Sequence, residues 1–145
     1  MSSIRLLPAL GLAVALAGCA GMEPPRMVQL GATLNGAQEV PPTPSGASGQ
    51  GTITYDRTTR QMSWSVSYTG LSGPLQSAHF HGPGAAGSNA AVAVAMPTQH
   101  SPLVGSAVLS EAQAADLLAG RMYVNLHTPI HPNGEIRGQV YAITP

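Results

Sequence analysis

His79 and His81 stand two residues apart in the stretch Ala78-His79-Phe80-His81-Gly82-Pro83. In an extended chain residues i and i+2 share a face, with Cα atoms roughly 6.5–7 Å apart. Both imidazoles therefore project from one side, while Ala78 and Phe80 turn to the other. Two imidazoles so placed can converge on one metal ion at roughly 2 Å each. A second stretch repeats the parity: Met122, Val124 and Leu126 alternate with Tyr123, Asn125 and His127. An H-x-H pair alone also fits two surface histidines that only hydrogen-bond. The second strand of the same parity is what favours a metal. With these strands as neighbours, His79, His81 and His127 form a three-imidazole cluster on the side away from the core. His131, in the loop His131-Pro132-Asn133-Gly134, is a candidate fourth ligand or a mobile gate.

Neutral imidazole suits Cu, Zn, Ni or Fe(II), and a set made only of imidazoles favours copper, then zinc. Met96 and Met62 are candidate soft ligands for Cu(I), although Met62 follows the core-facing pattern. His100, in a Pro-flanked loop, reads as a surface histidine. Around the cluster, Glu39 and Arg137 are expected to pair and close the first strand onto the last. The alternative is that Glu39 or Glu135 completes a metal shell. Asn125 either orients an imidazole or caps a loop, and Gly134 after Asn133 fits a tight turn needing positive φ.

The elements that position these residues read mostly as strands. Gln61 to Tyr68 is the clearest, with Met62, Trp64, Val66 and Tyr68 alternating with Gln61, Ser63, Ser65 and Ser67. Gly51–Tyr55 precedes it, and Asp56 to Arg60 serve as the hairpin loop. Further strands are expected at 75–81, 90–96, 103–109, 121–127 and 135–143. One short helix fits near 111–119: Ser110 is its N-cap, Gln113 completes a capping box, and Gly120 stops it. Abundant glycine (17) and proline (13) with 4% aromatics suit short strands joined by tight turns. The fold expected is an all-β, Greek-key, immunoglobulin-like or superoxide-dismutase-like β-sandwich.

Only 8% of the residues are charged, the formal net charge is zero, and 43% are apolar. All six basic residues are scattered arginines, so the dense cationic face that nucleic-acid binding needs is missing. Arg5 followed by the apolar run Leu6–Ala17 has the length of a signal-peptide core and is too short for a membrane-spanning helix. That run ends in Leu16-Ala17-Gly18-Cys19, which resembles a bacterial lipobox, and Cys19 is the only cysteine in the chain. Residues 1–18 are therefore expected to be a signal peptide. Cys19 is expected to carry the lipid, with residues 19–30 as a tether and 31–145 as the domain. Membrane lipid is the implied partner through acylated (palmitate-type) Cys19. The location is exported, on the outer-membrane or periplasmic side if the host has two membranes.

Several stretches together resemble the chordin-type (CHRD) domain family. They are Leu34-Asn35-Gly36-Ala37-Gln38-Glu39-Val40-Pro41-Pro42, Ala78-His79-Phe80-His81-Gly82-Pro83, Tyr123-Val124-Asn125-Leu126-His127-Thr128, and Pro132 to Gln139. The resemblance spans about residues 31–141 and implies a β-sandwich in the cell envelope, with no established reaction. Phe80 and Ala90-Ala91-Val92 depart from the usual pattern without touching a histidine. A fold-level similarity to copper-zinc superoxide dismutases rests on His79, His81, His127 and Arg137 occurring in that order. It lacks the disulfide and the long zinc loop, and fold analogy alone carries no function. The leading expectation is a non-catalytic, membrane-anchored envelope module that coordinates copper or zinc. A protein- or glycan-interaction module without metal, served by an envelope protein partner, is the first alternative. A small copper redox enzyme of the dismutase type is the second.

Overall fold

The computed structural model describes residues 23–97 and 100–143, so the expected leader, the lipobox-like stretch and Cys19 lie outside the described residues. Eight strands follow one another: β1 Met27–Asn35, β2 Ser48–Asp56, β3 Gln61–Thr69, β4 Ser77–His81, β5 Val92–Met96, β6 Leu103–Val108, β7 Tyr123–His127 and β8 Ile136–Ala142. A 3-10 turn, Gly36–Gln38, follows β1, and a helix, α1 Glu111–Leu118, joins β6 to β7. Among the described residues no helix is long and apolar enough to cross a membrane.

The strands form one antiparallel sheet in the order β5-β4-β7-β8-β1-β2-β3-β6. The fold is all-β, as expected, but its two layers belong to a single sheet that curls on itself until the edge strands β5 and β6 meet. Trp64 of β3 and Phe80 of β4 are far apart in strand order. Their ring centroids nevertheless stand 5.3 Å apart in an edge-on contact across the core. That pairing is worth about 0.5–1.5 kcal/mol beyond the area it buries.

Period-two alternation decides which face each strand buries. In β3, Met62, Trp64 and Val66 are buried and Gln61, Ser65 and Ser67 are exposed. In β1 the core residues are Leu30, Ala32 and Leu34; in β2, Ile53 and Tyr55. The first strand begins at Met27, inside the segment expected to be tether. Its register runs uninterrupted from Met27↔Asp56 to Asn35↔Ser48, because β2 offers a full-length partner to those first residues. The helix has the expected start: the Ser110 side chain accepts from the Gln113 N–H, and Gln113 returns a bond to the Ser110 backbone.

β7 departs from the one-sided pattern. All five of its residues are buried. Val124 and Leu126 face the core, while Tyr123, Asn125 and His127 lie beneath loops that fold back over the outer face. Asn89 donates to the Val40 carbonyl (3.1 Å), which ties the loop after β4 to the loop after β1. The outer face expected to be open is thus a roofed shelf, and it carries the histidines.

Candidate metal centre

β4 and β7 are hydrogen-bonded neighbours with His79 opposite Asn125, His81 opposite Tyr123 and Ser77 opposite His127. This register brings the side chains of both strands onto one face. His79, His81 and His127 come together so that one ligand nitrogen from each lies within 4.8 Å of the others. A register shift between Phe80 and His81, against β5, marks a bulge beside the site; such bulges re-aim side chains.

The ring nitrogens are not equivalent. His81 Nδ1 stands 2.9 Å from the Ala90 carbonyl and His127 Nδ1 stands 3.0 Å from the Pro132 carbonyl. A carbonyl only accepts, so both Nδ1 atoms carry hydrogen, and in the neutral rings both Nε2 atoms hold a lone pair. His81 Nε2 is buried with no partner among the described residues. His127 Nε2 lies 3.3 Å from His79 Nδ1, which must therefore be the donor of that pair. Two nitrogens bound 2.0–2.1 Å from a tetrahedral ion stand about 3.3 Å apart, so His79 and His127 already have a ligand-pair spacing. Backbone carbonyls fixing the second nitrogen are a recurring support of metal-binding histidines.

Burial lowers the proton affinity of all three imidazoles. In His79, desolvation leads and the neighbouring His127 and His81 add to it. In His81 and His127 desolvation also leads, opposed by the bonds to Ala90 and Pro132, and Arg137 further lowers His81. All three are thus biased toward the neutral form that a cation requires.

A stack supports His81. Its ring lies 4.9 Å from that of Tyr123 at an interplanar angle of 3°, and the Arg137 guanidinium carbon lies 3.4 Å from the Tyr123 ring centre. β7 runs between β4 and β8, so His81 and Arg137 flank Tyr123. The Tyr123 hydroxyl accepts from the Ala90 N–H (3.0 Å), the residue whose carbonyl fixes His81. Sequence parity placed Tyr123 on this face but gave it no role. Backbone carbonyls such as those of Ala90 and Pro132 leave no side-chain signal.

The other expected site residues sort differently. His131 lies outside the cluster: its backbone N–H bonds Thr128, and it borders a shallow cleft between the 39–44 and 130–134 loops. The expected Glu39–Arg137 pairing is replaced by separate partners. Arg137, 1% exposed, donates to the carbonyls of Ser88 (2.8 Å) and Ala85 and to the Asn89 side chain. Both Glu39 oxygens accept from Asn125 Nδ2 at 3.0 Å. Asn125 therefore holds a carboxyl rather than an imidazole. Burial raises Glu39 to about 7 against the bond from Asn125 and the field of Arg137. Gly134, at φ 126°, is required here: a Cβ would come within 2.7 Å of both Asn125 and Glu39.

Glu135 is not a metal ligand either. Its carboxylate accepts from Ser45 Oγ, Ser72 N–H and Oγ, and Thr128 Oγ1, at 2.6–2.8 Å. Burial would raise its pKa, but these bonds together outweigh it and hold the group at about 2. Met96 sits opposite Ala78 on the core face, and Met62 is in the core, so neither sulfur reaches the imidazoles. His100 lines a separate exposed cleft with Tyr68 and Leu75.

The three histidines, the Asn125–Glu39 pair and the Arg137 stack all fall within a matching family model, the CHRD domain, over residues 30–140. The chain belongs to the CHRD family. That match begins one residue before the expected domain start and ends five residues before the C-terminus. No curated protein and no solved structure matches the chain. The CHRD assignment supports a binding module; the identity of what is bound comes from the site.

Proposed function

We propose that this CHRD domain is a membrane-anchored envelope module that binds one copper ion, with zinc as the weaker competitor, through His81 Nε2, His127 Nε2 and His79 Nδ1. The observation that carries the reading is the lone pair of His81 Nε2, buried, unpartnered and held in place by the Ala90 bond and the Tyr123 stack. A buried polar atom without a partner costs roughly 1–3 kcal/mol, and a metal ion would satisfy it together with its two neighbours.

Three imidazoles without a thiolate or carboxylate suit Cu(II) or Zn(II), and the natural affinity order places copper above zinc. Three protein ligands also leave a coordination position open, which suits storage or delivery of an exchangeable ion. His79 and His81 are only partly covered, so an ion has a route in from solvent. The anchoring half of the proposal rests on the lipobox-like Leu16-Ala17-Gly18-Cys19 after an apolar run.

The test is metal uptake by residues 20–145. The chain is loaded separately with Cu(II), Cu(I) and Zn(II), desalted, and assayed for bound metal. One equivalent of copper, lost in His79→Ala, His81→Ala and His127→Ala but kept in His131→Ala, is the expected result. Substoichiometric uptake that ignores these substitutions would sink the metal reading. Acylation at Cys19 is read independently, from the mass of the protein isolated from membranes.

A further inference from the structure

One pole of the barrel gathers most of its exposed apolar surface. β1, β3, β5 and β7 begin there and β2, β4, β6 and β8 end there. Of the eight exposed large apolar side chains among the described residues, six belong to this pole: Met27, Val92, Val108, Leu118, Tyr141 and Ile143, from 37% to 67% exposed. Tyr141 lies over Gly31, its register partner, close enough that a Cβ there would meet the ring at 2.9 Å. The Ile143 N–H donates to the Gln29 carbonyl (2.9 Å), which places Ile143 beside the start of β1 and Met27. Leu118 of α1 borders a cleft shared with Arg57 and Arg60 of the β2–β3 turn.

The same pole holds four of the six arginines. Arg26, Arg60 and Arg121 are paired with Asp56, Glu111 and Asp116 at 2.6, 3.2 and 2.7 Å. Arg57 is exposed, and its Nε donates to the Pro25 carbonyl at 3.1 Å. Aliphatic side chains, a tyrosine and snorkelling arginines are the composition of a protein surface at the headgroup level of a bilayer.

We propose that this pole rests on a phospholipid surface, with Met27, Tyr141 and Ile143 at the headgroup boundary and Arg57 on lipid phosphate. The proposal rests on the Cys19 anchor put forward above. Met27 is eight residues beyond Cys19 in the sequence, a reach of at most about 29 Å at full extension. An acylated Cys19 therefore tethers this pole, rather than the opposite one, to the membrane, and the covalent link chooses lipid over a protein as its occupant. The orientation bears on the metal centre. Leu126 is level with Ile136 and His81 with Tyr123 and Gln139, so along β8 His127 stands about six residues from Tyr141 and His81 about two, roughly 20 and 7 Å. The cluster would stand with His81 toward the membrane and His127 toward the aqueous phase, where a soluble donor or acceptor can reach it.

Acylation consumes the only native thiol, so one introduced cysteine can carry a unique nitroxide label. The full lipidated chain is prepared with Met27→Cys, Ile143→Cys or Ile130→Cys and placed in vesicles of phosphatidylethanolamine and phosphatidylglycerol. Ile130, 63% exposed, serves as the control in the β7–β8 loop at the opposite pole. Expected are a several-fold loss of collisions with a water-soluble nickel chelate and a gain with oxygen at 27 and 143, with none at 130. Arg57→Ser should weaken that protection. Equal nickel access at all three positions on an acylated protein would overturn the docking and leave the anchor intact. So would protection at 27 and 143 that appears only after a second protein is added. A Cys19 without acyl mass would overturn the anchor and this proposal together. Unchanged circular dichroism of each labelled variant excludes misfolding as the source of any outcome.

Discussion

At the residue scale the proposed metal centre constrains protons as well as ligands. In the metal-free site His79 Nδ1 must donate to His127 Nε2, because His127 has already committed its Nδ1–H to Pro132. Binding through Nδ1 therefore requires the His79 proton to leave that nitrogen and appear on Nε2. His81 and His127 keep the tautomers they have. Nitrogen NMR with Zn(II) as a diamagnetic probe should show one ring, that of His79, switching from Nδ1–H to Nε2–H, while two rings stay fixed. Three unchanged rings would mean that the ion, if bound, sits elsewhere. The H-x-H spacing and the parity of His127 were enough to find this three-imidazole cluster in the sequence, since both follow from strand periodicity. The exclusion of His131 and the partner of Asn125 were not legible, because they depend on loop paths that periodicity does not describe.

At the scale of elements, the centre depends on β3 and β4 facing each other across the curled sheet. Trp64 holds this arrangement from one side. It lies opposite Gly105 in the β3–β6 pairing, and its indole occupies the space a side chain there would need. A Cβ on Gly105 would meet Trp64 Cζ2 at 2.5 Å. Gly105→Ala should therefore push the indole toward Phe80 and cost about 1–3 kcal/mol by overpacking. Phe80→Ala, which leaves a void at the same contact, should cost about 3–5 kcal/mol. Chemical denaturation of both variants checks the pair; a loss below 0.5 kcal/mol in each, taken as about the noise of surface changes, would show that the two halves are held elsewhere. The alternation of β3 made its core face readable in advance. The curl was not, because a one-sheet barrel and a two-sheet sandwich place the same residues inside. The parity of β7 puts Tyr123, Asn125 and His127 on the side away from the core, as found, but does not give their burial: loops far away in sequence cover them, and nothing local records that cover.

Over the whole molecule, two buried carboxyls act in opposite senses. Glu135 joins the β1–β2, β3–β4 and β7–β8 loops through Ser45, Ser72 and Thr128. Its folded pKa, about 2, lies below the usual 4.5. Its contribution is therefore present above pH 4.5 and is lost as pH falls toward 2. Glu39 is the reverse, raised from 4.5 to about 7, so its contribution is present below pH 4.5 and is lost as pH rises through 7. Urea unfolding of the chain and of two single variants separates these terms. Glu135→Gln should destabilise by about 1–3 kcal/mol at neutral pH, with the gap to the parent closing between pH 4.5 and 2. For Glu39→Gln the comparison moves the other way: any destabilisation at pH 4.5 should shrink or reverse by pH 8, because the parent must by then carry a buried carboxylate. Parallel pH curves for Glu39→Gln and the parent would show that Glu39 ionises as easily in the fold as in water. Asn125 would then be a solvent-screened contact rather than the donor that holds a reluctant acid beside the metal shelf.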